Sequence, residues 1–160
     1  MVKEITGLNP FSKICHVYTD HYDFNSQTVL PENVNKVYLS LKGDFKNRCI
    51  IVYMQPHPPF VGKESVKSKG WTQWTGQNYE GKIVWDLVKD GELTLEAAVK
   101  GYKSNLEYVL EYVKKLLPEL NGKIIISSDH GELFGEYDEY GHPGGVYYRE
   151  LLEVPYLEIM

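Results

Sequence analysis

Cysteine is scarce in this chain, a long apolar run is missing, and positive charge is in the minority. Two cysteines among 160 residues cannot make a disulfide framework, so free, buried thiols in a reducing cytoplasm are expected. No segment approaches the roughly 18 consecutive apolar residues of a membrane span. The opening Met1-Val2-Lys3-Glu4-Ile5-Thr6-Gly7 lacks the apolar centre of a signal peptide. Neither a membrane nor a targeting role is expected. Lys and Arg total 17 against 22 Asp and Glu, for a net charge of -5, and no basic stripe breaks that balance. A nucleic-acid partner is therefore excluded, and Lys114-Lys115 reads as the solvated face of a helix.

What the chain does have is apolar and aromatic weight. Hydrophobic residues make up 42%, with 13 tyrosines and 3 tryptophans, enough to bury the core of a single domain over residues 1–160. A short strand is expected at Ile14–Tyr18, and an amphipathic helix over Glu32–Leu41 from Val34, Val37, Tyr38 and Leu41. Arg48–Met54 is continuous enough to be a strand buried on both faces, which belongs to a parallel sheet. Residues 55–77, rich in proline, glycine and lysine, form a long loop of the kind that serves as a substrate lid. Helices follow over Gly81–Lys89 and from the N-cap Thr94 to Pro118, with Ala97, Ala98, Tyr102, Leu106, Val109, Val113, Leu116 and Leu117 as the apolar stripe of the second. Lys123–Ser127 is the next strand, and Pro155–Ile159 a last one at an edge. A strand, a helical crossover and a strand imply a right-handed βαβ unit with parallel strands.

The chemistry-bearing residues gather where those strands end. Ile124-Ile125-Ile126-Ser127-Ser128 runs directly into Asp129-His130-Gly131-Glu132, which sets a carboxylate and an imidazole at a strand terminus. Such a pair is half of a divalent-cation site, and equally a hydrogen-bonded structural pair. His142 follows in Gly141-His142-Pro143-Gly144, where the backbone can approach a ligand closely. Upstream, Pro56-His57-Pro58-Pro59 leaves an apolar segment with a histidine whose backbone is fixed by its neighbours. Glu132 is a partner for His130 or an acid favoured by a helix N-terminus. His16, His21, Asp20 and Asp23 read as a solvated loop.

Taken together, Ser128-Asp129-His130-Gly131-Glu132, Gly135-Glu136, Gly141-His142-Pro143-Gly144, Leu152-Glu153-Val154-Pro155 and the upstream Pro56-His57-Pro58-Pro59 resemble the sulfatase-like branch of the alkaline phosphatase superfamily, over about residues 48–159. The resemblance implies an α/β fold of three layers, a mostly parallel sheet flanked by helices. It implies hydrolysis of phosphoric or sulfuric esters with a divalent ion (Ca, Mn or Zn) held by Asp129 and His130, and with His57 and His142 as catalytic groups on a small sulfate or phosphate ester. That family places its nucleophile in an N-terminal half that has no counterpart here. Cys15 and Cys49 lack the Cys-x-Pro-x-Arg pattern of formylglycine formation, and a histidine at 142 stands where the calcium sulfatases usually have a lysine. The implied domain is a C-terminal fragment, inactive alone, that either meets a complementing N-terminal half or forms a homo-oligomer. A non-catalytic domain, truncated or split, that serves assembly or ligand binding is the alternative.

Overall fold

The computed structural model describes residues 11–44, 48–69 and 81–160. Helix α1 (Val17–His21) leads into a small hairpin of β1 (Tyr22–Asp23) and β2 (Thr28–Val29), and helix α2 (Pro31–Leu41) follows. Pro31 at its first turn supplies a preset φ where no N–H is needed. Helices α3 (Val84–Lys89) and α4 (Leu95–Leu116) carry the centre of the molecule. Thr94 caps α4 by accepting a 3.2 Å hydrogen bond from the Ala97 N–H, and Asp86 accepts the Ile83 N–H at the start of α3. After α4 come β3 (Ile124–Ser127), β4 (Leu133–Phe134), β5 (Tyr140–Gly141), the short helix α5 (Arg149–Leu152) and β6 (Tyr156–Ile159).

The sheet is where the structure departs from expectation. All strands among the described residues pair in antiparallel twos: β1 with β2, β3 with β6, and β4 with β5. There is no extended parallel sheet and so no three-layer, parallel-sheet fold. Arg48–Met54 has no regular secondary structure and joins no ladder, and Ile50 and Val52 are each 70% exposed, the reverse of a strand buried on both faces. β3 finds its partner in β6, the carboxyl-terminal strand running back along it with Ile124 opposite Ile159 and Ser127 opposite Tyr156. The anticipated βαβ unit is absent because its first strand has no place in a ladder. Nor does Ile14–Tyr18 form a strand; its end is the first turn of α1. Part of the expected lid loop, residues 70–80, lies outside the described residues. Cys15 and Cys49 are free, as anticipated, but exposed rather than buried.

The core is aromatic and sits between α3, α4 and the site-bearing strands. Phe60, Val84, Trp85 and Ala98 are buried, and Tyr102, Phe134 and Tyr140 pack against them. Their rings meet edge to face, Phe60 with Trp85 at 6.0 Å, Trp85 with Phe134 at 5.7 Å and Tyr102 with Phe134 at 5.1 Å between centroids, the favoured arrangement for aromatic quadrupoles. The buried face of α4 keeps Ala98, Val109 and Leu116 of the apolar stripe read from its spacing and adds small and polar residues to them. It consists of Ala98, Gly101, Ser104, Asn105, Val109 and Leu116, while Leu106 is 37% exposed.

Polar residues on that face have a job: they hold irregular backbone. Asn105, fully buried, accepts a hydrogen bond from the Val61 N–H at 3.0 Å and donates to the carbonyls of Pro56 and His57 at 3.1 and 3.2 Å. Ser104 accepts the Glu64 N–H. Asn35 on α2 acts the same way, donating to the Tyr112 carbonyl and accepting from the Tyr53 hydroxyl. Buried backbone groups without partners are costly, so a loop of this kind enters the interior only where side chains complete it. Replacing Asn105 by Leu keeps the branched heavy-atom shape and strands one N–H and two carbonyls. Asn105→Leu is therefore expected to lower unfolding free energy by about 3 kcal/mol, read from urea denaturation; a loss below about 1 kcal/mol would show that water takes over these groups.

Candidate metal centre

Two segments far apart in sequence supply the site. The first is the loop after Met54, where His57 is held at its N–H by the Met54 carbonyl and at its own carbonyl by Asn105. The His57 Nδ1 lies 2.6 Å from the Pro58 carbonyl. A carbonyl only accepts, so Nδ1 carries the proton and Nε2 keeps its lone pair. The second is the stretch from β3 through β5, carrying Asp129, His130, Glu132 and His142. His130 repeats the arrangement of His57: its Nδ1 is 2.7 Å from the Gly131 carbonyl, which leaves Nε2 available.

These segments come together. The His57 and His142 rings are 5.2 Å apart and those of His130 and His142 4.0 Å, centre to centre. His57 and His142 line a cleft of about 250 Å³ together with Ile83, Trp85, Tyr140, Gly141 and Pro143. Asp129 stands outside it, its side chain 88% exposed and its Oδ1 3.7 Å from the His130 Nε2.

Gly131 and Gly141 set this geometry for steric reasons. A Cβ on Gly131 would lie 1.8 Å from the Glu150 carbonyl oxygen, and the Gly131 N–H donates to the Leu151 carbonyl at 2.9 Å. The close approach that glycine permits here is thus to α5 rather than to a ligand, and it anchors the Asp129–Glu132 turn. Gly141 has φ +77°, and a Cβ there would come within 3.0 Å of the Trp85 ring, so glycine brings the backbone beside His142 onto the indole.

Glu132 is the residue whose place the sequence did not give. It partners His142 instead of His130: the His142 Nδ1 is 3.1 Å from Oε2, and the Trp85 indole N–H donates to Oε1 at 2.8 Å. Its carboxylate is only 4% exposed, and each oxygen is engaged. Trp85 was missed altogether, because Ile83-Val84-Trp85 reads as core, which it also is. Ligand atoms of His130, Glu132 and His142 lie within 4.8 Å of one another. Since both Glu132 oxygens already accept hydrogen bonds, the donors best placed to reach an ion are the imidazole nitrogens of His130 and His142, with Asp129 beside them. Two imidazoles and a carboxylate suit Zn or Mn better than Ca, which prefers oxygen throughout.

The environment separates the histidines electrostatically. The hydrogen bond that His142 donates to the Glu132 carboxylate raises the His142 pKa above the ordinary histidine value, against the opposing effect of burial. Burial lowers that of His57, which only the Pro58 carbonyl and the charge of Glu132 oppose. No family model, curated protein or solved structure matches the chain.

Because the folded pKa of His142 is the raised one, the Glu132–His142 pair contributes stability that is fully present at acid pH and lost as pH rises through that value. In metal-free protein, proton NMR titration is expected to place His142 above and His57 below the ordinary histidine value, and Glu132→Gln is expected to bring His142 down. Coincident titration of the two rings would contradict this arrangement.

Proposed function

We propose that the chain holds a divalent cation, Zn or Mn, through His130 and His142 with Asp129, beside a cleft that takes the oxyanion of a phosphoric or sulfuric ester, and that it serves metal-dependent hydrolysis of such esters. The observation that carries this reading is the meeting of His57, from one segment, with His142, from another, at a single cleft, with the His130 ring packed against that of His142. The resemblance to the sulfatase-like branch of the alkaline phosphatase superfamily adds to it through the same residues. No helix among the described residues is long and apolar enough to cross a membrane, and two free thiols fit the reducing cytoplasm in which we place the protein.

The ion, when bound, neutralises charge on the ester oxygens and orients the group under attack. The protein's own contribution is positioning. His57 presents Nε2 to the cleft with its proton on Nδ1 fixed by Pro58. An arriving oxyanion favours the imidazolium, so His57 takes up a proton from water at Nε2 and from there hydrogen-bonds a non-bridging oxygen or protonates the leaving group. Ile83, Trp85, Tyr140 and Pro143 give the cleft apolar walls, and apolar surroundings strengthen those charge interactions.

A second reading, an oxyanion-binding module without turnover, is favoured by one feature: among the described residues lining the cleft there is no serine, threonine or cysteine to act as nucleophile. Calorimetry separates the possibilities. Zn or Mn is expected to bind the wild-type chain and to be lost in the His130→Ala, His142→Ala double variant. Inorganic phosphate is expected to bind the metal-loaded protein and to weaken about tenfold in His57→Ala, the value of one charge-assisted hydrogen bond, while the metal affinity is unchanged. Aryl phosphate or aryl sulfate turnover above that of the Asp129→Ala, His130→Ala double variant identifies the hydrolase. Binding without turnover identifies the module, and failure to bind either metal overturns both.

A further inference from the structure

We infer that Trp85 is a positioning residue for the metal centre, acting through Glu132 to fix the tautomer and direction of the His142 ring. The inference rests on the metal reading of the site proposed above. It concerns residues on α3 and at the start of β4 that do not themselves reach the ion.

The chain of contacts is short and directional. The Trp85 N–H donates to Glu132 Oε1 at 2.8 Å, and the second oxygen of that carboxylate stands 3.1 Å from the His142 Nδ1. An ionised carboxylate has no proton to give, so His142 donates from Nδ1 and keeps its lone pair on Nε2. A ligating histidine needs that state, and its other nitrogen is commonly tied to a carboxylate or carbonyl, which also makes the ring a better donor. His130 receives the same treatment from the Gly131 carbonyl. A backbone carbonyl cannot rotate away, but a glutamate side chain can. Glu132 therefore needs its own restraint, and the indole N–H supplies it.

Three further observations show that this restraint is rigid. Trp85 is 2% exposed and wedged among Phe60, Phe134 and Tyr140. Glu132 is nearly sealed from water, so no solvent replaces the indole as donor. Gly141, next to His142, lies so near the Trp85 ring that a Cβ would touch it at 3.0 Å. Trp85 thus fixes the His142 segment twice, through van der Waals contact at Gly141 and through the hydrogen bond to Glu132. Only the second depends on the N–H, and this makes the two separable.

Trp85→Phe keeps an aromatic ring in the core and removes the donor. Zn titration by calorimetry is expected to show affinity 10- to 100-fold weaker than wild type, the range for lost partners of ligating histidines, with Glu132→Gln behaving alike. In the metal-free proteins, long-range 15N–1H spectra are expected to show His142 as a single Nδ1–H tautomer in wild type and as a tautomer mixture in Trp85→Phe. A role confined to core packing would not move that signature. If Trp85→Phe fails to fold, a tryptophan analogue with sulfur in place of the indole N–H, incorporated at position 85, retains the shape and tests the same bond. Unchanged Zn affinity, or an Nδ1–H signal at His142 that survives loss of the indole N–H, overturns the inference. Should wild type bind no Zn, the metal reading fails, and the tautomer spectra still decide whether Trp85 sets the state of His142.

Discussion

A single buried amide organises the part of this molecule that carries chemistry. The loop from Gln55 to Val61 lies against α4 with no strand of its own, and its backbone groups would be stranded there were Asn105 not present to accept one N–H and donate to two carbonyls. A buried amide satisfied on both its oxygen and its nitrogen specifies one placement of the loop, because any slip breaks several bonds in a medium of low dielectric. His57 takes its position from that placement. The imidazole on one side of the cleft is located by a helix residue 48 positions further along the chain, and the aromatic core beneath, built on Phe60 and Trp85, begins where the loop ends.

The core and the site are not separate regions. Trp85 contributes its ring faces to the packing against Phe60 and Phe134 and its one polar atom to Glu132. Tryptophan suits such a place because it buries a large apolar surface while retaining a donor that must be satisfied. The donor here is satisfied by a carboxylate, and the carboxylate by a histidine. Rigidity in the packed interior therefore passes to the imidazole through a glutamate held at both of its oxygens. The close approaches at Gly131 and Gly141 extend the same logic to the backbone, since each seats one end of the site segment against α5 or α3.

Much of the helical architecture was legible in the sequence. Thr94 before an amphipathic stretch and Pro118 after it delimit α4, and the structure has the cap and the helix as anticipated. Glu32–Leu41 falls within α2. The sheet was not legible. Arg48–Met54 and Lys123–Ser127 are apolar runs, and an apolar run states that a segment avoids water or seeks a partner without naming the partner or its direction. The inference to parallel pairing supplied both, and the structure gives β3 an antiparallel neighbour in β6 while leaving Ile50 and Val52 exposed. The stripe on α4 was legible in part: Ala98, Val109 and Leu116 are buried as its spacing implies, but Ser104 and Asn105 share that face. Spacing counts apolar residues, whereas the buried face was chosen for its ability to complete an irregular loop, which favoured Ser104 and Asn105 over Leu106.

For the site, the sequence by itself determined the donor atoms: His57 between prolines, Asp129-His130 at the end of a strand and His142 after a glycine all stand out as side chains placed beside constrained backbone. It determined α4 as well, because caps and helix breakers act within a few residues of where they stand. What tertiary structure alone decided is which groups share a cleft and which nitrogen of His142 is left available; in His57 and His130 the carbonyl of the next residue decides it. Glu132 turns to His142 rather than to its neighbour His130, and Trp85 serves it from another helix. Those choices depend on hydrogen bonds between residues 10 to 48 positions apart, favoured by the cost of leaving a buried donor or acceptor without a partner, and local sequence carries no record of them.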